Sequence, residues 1–177
     1  LALVYQTLNW NTNRHWGANV IVPLRRGKWL DSRLTLTGMR MAQRCDDFHG
    51  LAFDRSKWLG VVRMDNTIRQ SRKPDLTLDL SGYYQSAAIQ GTYDVAPSWS
   101  VNAGVKWTFD KSRASLSVRC NDIFESSLPF AKVRYKGQYL DMHSGTYTRS
   151  VTVHFSYRFG TYKEKRHKTV DTSRFGH

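Results

Sequence analysis

The chain has 177 residues, with 27 Lys and Arg against 14 Asp and Glu, a formal net charge of +13, and 6 Trp, 9 Tyr and 8 Phe. That length fits a single domain, and no stretch approaches the ~20 apolar residues of a membrane-crossing helix. A mean hydropathy of −0.55 excludes helical spans only, because in a membrane-crossing strand just alternate residues meet lipid.

The chain opens Leu1-Ala2-Leu3-Val4-Tyr5, already strand-like, with neither an initiating Met nor a signal peptide, so a processed protein or a fragment is expected. Eight strands are predicted, near 1–10, 15–25, 29–42, 58–71, 75–85, 98–109, 113–124 and 146–159. The second carries Trp16, Ala18, Val20, Val22 and Leu24 at one parity; the third carries Leu30, Leu34 and Leu36; the fourth carries Trp58, Val62, Met64 and Ile68. Pro23 and Asn66 interrupt these patterns, and a Pro inside a strand predicts a bulge or a break. In the fifth, Leu76, Leu78, Leu80, Gly82 and Tyr84 alternate with Thr77, Asp79, Ser81 and Tyr83. The sixth is the clearest: Trp99, Val101, Ala103, Val105, Trp107 and Phe109 alternate with Ser100, Asn102, Gly104, Lys106 and Thr108. The seventh sets Ala114, Leu116, Val118 and Cys120 against Ser115, Ser117, Arg119 and Asn121, and the eighth sets Val151, Val153, Phe155, Tyr157 and Phe159 against Thr152, His154, Ser156 and Arg158. Strict period-two alternation places one face in an apolar medium and the other in a polar one.

Most of these segments are about twice the usual ~5–6 residues of a globular strand, and they match the ~9–11 that a tilted strand needs to cross a bilayer. Tight turns at Arg25-Arg26-Gly27-Lys28, Ser71-Arg72-Lys73-Pro74 and Asp110-Lys111-Ser112-Arg113 alternate with longer polar loops near 43–57, 86–97 and 125–145. That is the wiring of a transmembrane barrel, with turns on the periplasmic side and loops outside. Only the connection from Asn11 to Arg14 is too short for its side. Within the last loop, Val133, Tyr135, Gly137 and Tyr139 alternate with charged residues, which predicts an extension of the sheet above the membrane.

A soluble β-sandwich also alternates, but it has no reason for such long strands, for turns that alternate short and long, or for aromatics gathered at strand ends. A nucleic-acid binder would interleave basic and stacking residues on one face. Here the aromatics share parity with the aliphatics, and the charges mark turns, loops, the tail and the polar strand face. No nucleic-acid partner is expected. Lys132, Arg134 and Lys136 are candidates, from charge alone, to pair with phosphates of outer-leaflet lipid. Cys45 is placed in a polar loop and Cys120 on the apolar face, with no disulfide expected between them. The histidines lack metal-ligand spacing, and no nucleophile elbow or phosphate loop occurs. Cys45, Asp46, Asp47, His49 and Asp54 are better read as a polar surface loop than as a cation site. Neither an enzyme nor a cofactor is expected.

From about Leu76 onward the chain resembles the end of the TonB-dependent receptor family, especially the outer-membrane β-barrel proteins of Bacteroidetes type. The run from Ser115 to Phe124 is similar to the Asn-Leu-Phe-type motif that closes the next-to-last strand of such receptors, which singles out Asn121, Asp122, Ile123 and Phe124. The run from Arg149 to Gly160 looks like their last strand, and Phe155, Tyr157 and Phe159 resemble the signal read by the barrel-assembly machinery. The ending from Asp171 to Gly176, after a Lys/Arg-rich stretch, is similar to the tails of that group, although such receptors usually finish at the aromatic of the last strand. The resemblance implies a Gram-negative outer membrane and uptake of a large or scarce nutrient. It also implies an N-terminal plug and further strands of the same chain, and through them an inner-membrane energy-coupling complex. The plug and the coupling box are not in this sequence.

The reading is thus an all-β, antiparallel transmembrane barrel of about eight strands over 1–160, part of a larger barrel, with a basic periplasmic tail over 161–177. The residues expected to face lipid are Trp99, Val101, Val105, Trp107, Leu116, Val118, Val153, Phe155, Tyr157 and Phe159. Two alternatives stand beside the receptor: a complete eight-stranded barrel with a structural or adhesion role, and a soluble basic β-protein that binds nucleic acid.

Overall fold

The structure, a computed structural model, describes residues 11–47, 52–72, 75–135, 137–143 and 145–160. The described residues contain eleven strands and no helix. They are β1 Thr12–Arg26, β2 Leu30–Cys45, β3 Phe53–Arg72, β4 Asp75–Gln85, β5 Ala88–Gln90, β6 Tyr93–Val95, β7 Ser98–Phe109, β8 Ala114–Asn121, β9 Ala131–Tyr135, β10 Gln138–Met142 and β11 Ser150–Tyr157. Seven form an antiparallel sheet in the order β1-β2-β3-β4-β7-β8-β11, and the other four form a second sheet, β10-β9-β6-β5. The large sheet is an up-and-down meander, interrupted only where the chain leaves it to build the small one. Its outer strands, β1 and β11, do not pair with each other, so the sheet is not closed.

The alternation predicted from sequence runs through all seven long strands. The expected strand 1–10 and the tail 161–177 lie outside the described residues. Several boundaries move. β2 and β3 reach Cys45 and Phe53, so both ends of the expected loop 43–57 belong to strands, and residues 12–14 of the expected connection at Asn11 to Arg14 are absorbed into β1. Loop 86–97 contains the hairpin β5–β6, and strands form within the last loop as expected, but β9 pairs with β6, and β10 with β9, in the second sheet instead of extending the large one. The seventh and eighth strands are shorter than expected: β8 stops at Asn121 and β11 begins at Ser150. Asp122 and Glu125 take positive φ, 44° and 55°, which ends strand geometry there.

Pro23 breaks nothing. β1 pairs with β2 through Pro23 opposite Arg33 without a register shift. Among the described residues β1 is an edge strand of this sheet, where a missing N–H can be tolerated. The irregularity falls instead between Arg69 and Ser71, where β3 shifts register against β4. Asn66 stays in register on the apolar parity because its amide is satisfied: it accepts from the Ser32 hydroxyl at 2.7 Å and donates to the Leu80 carbonyl at 3.2 Å.

The buried apolar residues are Cys45, Phe53, Leu59, Ala88, Ile89, Ala114 and Val133. All but Ala114 lie toward the loop end or in the small sheet. Cys45 is therefore not in a polar loop: it ends β2 and is 2% exposed. Both thiols are free. Apart from the β5–β6 hairpin at the loop end, no layer among the described residues packs over either face of the seven-stranded sheet, an arrangement unlike a water-soluble sandwich.

Candidate functional site

Antiparallel pairing turns the alternation of each strand into rows across the sheet. Val20, Leu36, Val62, Tyr84 and Trp99 form one row, and Val22, Leu34, Met64, Gly82 and Val101 the next. Farther toward the turns come Leu78, Val105, Val118 and Val153, then Leu76, Trp107, Leu116 and Phe155. Cys120 sits between Ala103 and Val151 on the same face. These side chains are half-buried by one another or exposed; Val153 is 64% and Phe155 61% exposed. The ten residues singled out from the sequence thus lie on one continuous apolar surface, with Phe159 just beyond the end of β11.

Aromatic rings border that surface at both ends. Toward the loops, Trp16 meets Trp58 edge-on at 5.0 Å, and Trp99 lies 5.4 Å from Phe124. Toward the turns, Trp107 lies 4.5 Å from Phe109 and Tyr157 lies 4.7 Å from Phe159. Trp99 and Phe109 are about 33 Å apart along β7 at ~3.3 Å per residue. With a tilt of ~40°, their separation along the barrel axis is about 25 Å, the height of an apolar transmembrane band.

The opposite face is mainly polar, with its apolar residues, among them Ile21, Met39, Met41, Leu59 and Val61, in β1 to β3. Thr67 donates to Asp79 at 2.8 Å, Asn102 donates to Ser81 at 3.1 Å, Arg63 pairs with Asp65 at 3.0 Å, and Arg25 faces Asp31 at 3.4 Å. A recess of about 330 Å³ opens on this face among Arg63, Asp65, Thr67, Asp79, Asn102 and Arg119.

At the loop end, the β5–β6 hairpin is fastened over this polar face. Gln43 and Arg55 are register partners on β2 and β3. The Gln43 side-chain oxygen accepts from the Gly91 N–H at 2.7 Å, and the Arg55 guanidinium donates to the Gly91 carbonyl at 3.2 Å while pairing with Asp94. Gly91 has φ +59°, as the tip of this tight hairpin requires. Ser86 begins the departure from β4, its N–H bonded to the Gly60 carbonyl and its hydroxyl accepting from the Gly60 N–H, both at 2.9 Å.

The Asn121 to Phe124 motif lies at the corner where β8 gives way to the last long loop. Asn121 closes β8, its amide bonded to the Ser150 hydroxyl at 3.2 Å. The Asp122 N–H donates to the Asn102 side chain at 2.8 Å. Its carboxylate accepts from the Ser126 and Ser127 amides, both at 3.0 Å, and from the Thr148 hydroxyl. Burial would raise the Asp122 pKa, but the Ser127 and Thr148 side chains and the backbone N–H groups of Ser126 and Ser127 outweigh it. They hold the carboxyl well below the ordinary carboxylate range. The Ile123 N–H continues the sheet by bonding to the Val101 carbonyl at 2.9 Å, and Phe124 reaches Trp99 on the apolar face.

Other candidates are not assembled. Asp46 is engaged by Arg44 and Asn11, His49 lies outside the described residues, and no metal cluster occurs among the described residues. Lys132 sits 5.0 Å over the Phe130 ring and Arg134 pairs with Asp141, both on the small sheet; Lys136 is outside the described residues. The clasp of Gln43, Arg55, Gly91 and Asp94 was not legible beforehand, apart from a Gly between polar residues that marks a turn.

Neither the curated proteins nor the solved structures yielded a match. Residues 2–157 match the family described as "Outer membrane protein beta-barrel family". A two-faced meander with rings of aromatics at both borders is what such a barrel wall requires, and this chain belongs to the outer membrane protein β-barrel family.

Proposed function

We propose that this chain forms part of the wall of a large outer-membrane receptor-transporter of the TonB-dependent kind, in a Gram-negative bacterium, serving uptake of a nutrient. On this reading the apolar face meets lipid, the polar face lines a lumen, and the turn end faces the periplasm. Further strands would pair with the open edges of β1 and β11, because a bilayer tolerates no unpaired strand edge. A plug and an inner-membrane energy source belong to the same reading.

The observation that carries it is the polar face. In a barrel of eight strands, the inward side chains fill the interior as a packed core. Here that face holds charged residues in an open recess, with Arg63 pairing along its own strand to Asp65 and the β5–β6 hairpin folded over the loop end. Such a wall suits a wide, wetted lumen. The Asp122 corner suits it too, since it anchors a long loop at the rim.

Conductance of the full-length protein in planar bilayers tests this reading. A plugged, wide barrel should be nearly silent and should open a large, reversible conductance when urea unfolds the plug. Silence under both conditions would indicate a small, filled barrel, and a large conductance without urea would indicate an unplugged pore. Either result would refute the proposal.

A further inference from the structure

Four arginines of β1 and β2 stand on the apolar parity, where a membrane-facing strand has least reason to carry charge: Arg26 at the turn, Arg44 at the loop end, and Arg14 and Arg40 beside the aromatic border. Trp16, Arg40 and Trp58 occupy one row across β1, β2 and β3, and Arg14, Ala42 and Ser56 occupy the next row toward the loops. Arg14 and Arg40 are both exposed. The Arg40 guanidinium donates to the Ser56 hydroxyl at 3.3 Å, so its side chain runs from the aromatic row toward the loop end and toward β3, on the side of Ala42 away from Arg14. Because Arg14 pairs with Ala42, Arg40 is its diagonal neighbour, with the two about 7–8 Å apart in an antiparallel sheet. Arg14 thus stands on one side of the small Ala42 side chain and the Arg40 guanidinium on the other, so a single anion seated over Ala42 can meet both.

Neither is in an ion pair among the described residues. Arg44, farther out on the same face, behaves differently: it is paired with Asp46 at 2.8 Å, and Asp54 lies opposite it. Lys132 and Arg134, the cations first considered for this role, are on the small sheet and are already engaged by Phe130 and Asp141. The pair at Arg14 and Arg40 is thus distinguished by its face, by its depth beside the Trp16–Trp58 contact, and by the want of a carboxylate. Tryptophan rings settle at the level of lipid headgroups, and arginine takes phosphate oxygens with paired, charge-assisted hydrogen bonds.

We propose that Arg14 and Arg40 form a binding site for the phosphate of an outer-leaflet lipid headgroup, selective for phosphomonoesters over zwitterionic headgroups. The site rests on the reading of this face as membrane-facing. Trp16 and Trp58 flank the acyl chains just below it, and Ser56 orients Arg40.

The test uses the full-length protein reconstituted into phosphatidylcholine vesicles. These carry a minor fraction of phosphatidic acid with brominated acyl chains or, in parallel, phosphatidylcholine with the same brominated chains. Brominated phosphatidic acid should quench tryptophan fluorescence more strongly than brominated phosphatidylcholine. Arg14→Ala with Arg40→Ala should abolish that excess, lowering the preference about twenty-five-fold at a factor of roughly five per arginine. Arg14→Lys with Arg40→Lys should keep part of it, and Lys106→Ala on the opposite face should leave it intact. Equal quenching by the two lipids, or an excess that survives the double Ala variant, would overturn the site. Loss of the excess on adding millimolar inorganic phosphate would overturn the lipid as its ligand in favour of free phosphate. No quenching by either lipid would overturn the membrane-facing reading itself, an outcome distinct from loss of selectivity alone.

Discussion

Val153→Arg places a cation near the middle of the apolar face, and the structure lets its cost be worked out. Val153 lies in the row with Val118 and Val105. Val105 is about 20 Å along β7 from Trp99 and about 13 Å from Phe109 at ~3.3 Å per residue, well inside both aromatic borders. Val153 is 64% exposed, so truncating or enlarging it disturbs little protein packing. In water such a surface substitution changes stability by no more than about 0.5 kcal/mol. In a bilayer the same arginine near mid-depth should cost about 2–4 kcal/mol, roughly 30- to 700-fold in the folding equilibrium. The contrast isolates the solvent, because the protein contacts are the same in either case. The control is Thr152→Glu. Thr152 faces the polar side opposite Arg119, so the new carboxylate meets a cation across the strand pair and should be tolerated. Urea titration of the full-length protein folded into phosphatidylcholine vesicles, read by heat-dependent gel mobility, measures both. Equal effects of the two substitutions, or a neutral Val153→Arg, would show that this face does not meet lipid.

Asp122→Asn should weaken the anchorage of the last long loop by about 1–3 kcal/mol, since two N–H groups and a hydroxyl lose a charged acceptor; protease cleavage between residues 126 and 148 should rise. The carboxyl's pKa is depressed in the folded protein, so its contribution is fully present above about pH 4 and is lost as pH falls further toward the folded value. Cleavage in the native protein should therefore increase in acid while the Asn variant stays flat, and parallel profiles would remove Asp122 as the anchor. Arg55→Ala should free the β5–β6 hairpin, exposing the chain around Gly91 to proteinase K with membrane assembly unchanged; unaltered protection would show the clasp to be idle. Gly17→Ala should destabilise by about 1–3 kcal/mol, because its methyl would stand 2.3 Å from the Gly38 carbonyl oxygen and 2.7 Å from the Met39 Cα. Gly82→Ala meets nothing within 4 Å and should be near neutral in the same urea titration.

The seven long strands and their alternation were legible in the sequence because both follow from local order, whereas β5 and β6 fall in what reads as a polar loop. Residues two apart share a face, so Trp99 to Phe109 announces an apolar and a polar side without any knowledge of its neighbours. The alternation of tight turns with long loops is equally local, whereas the expected strand 113–124 ran through Asp122, whose positive φ ends β8 at Asn121. What the tertiary structure alone decided are the partnerships across long stretches of chain. Gln43 holds Gly91 from 48 residues away, Arg55 holds Asp94 from 39, and Asp122 holds Thr148 from 26. The same register buries Cys45 at the end of β2 and sets Arg14 diagonally to Arg40. A period-two pattern states which way each side chain points but not which strand residue stands beside it. Register and loop folding settle that by pairing groups distant in the chain, and no local pattern encodes those pairings.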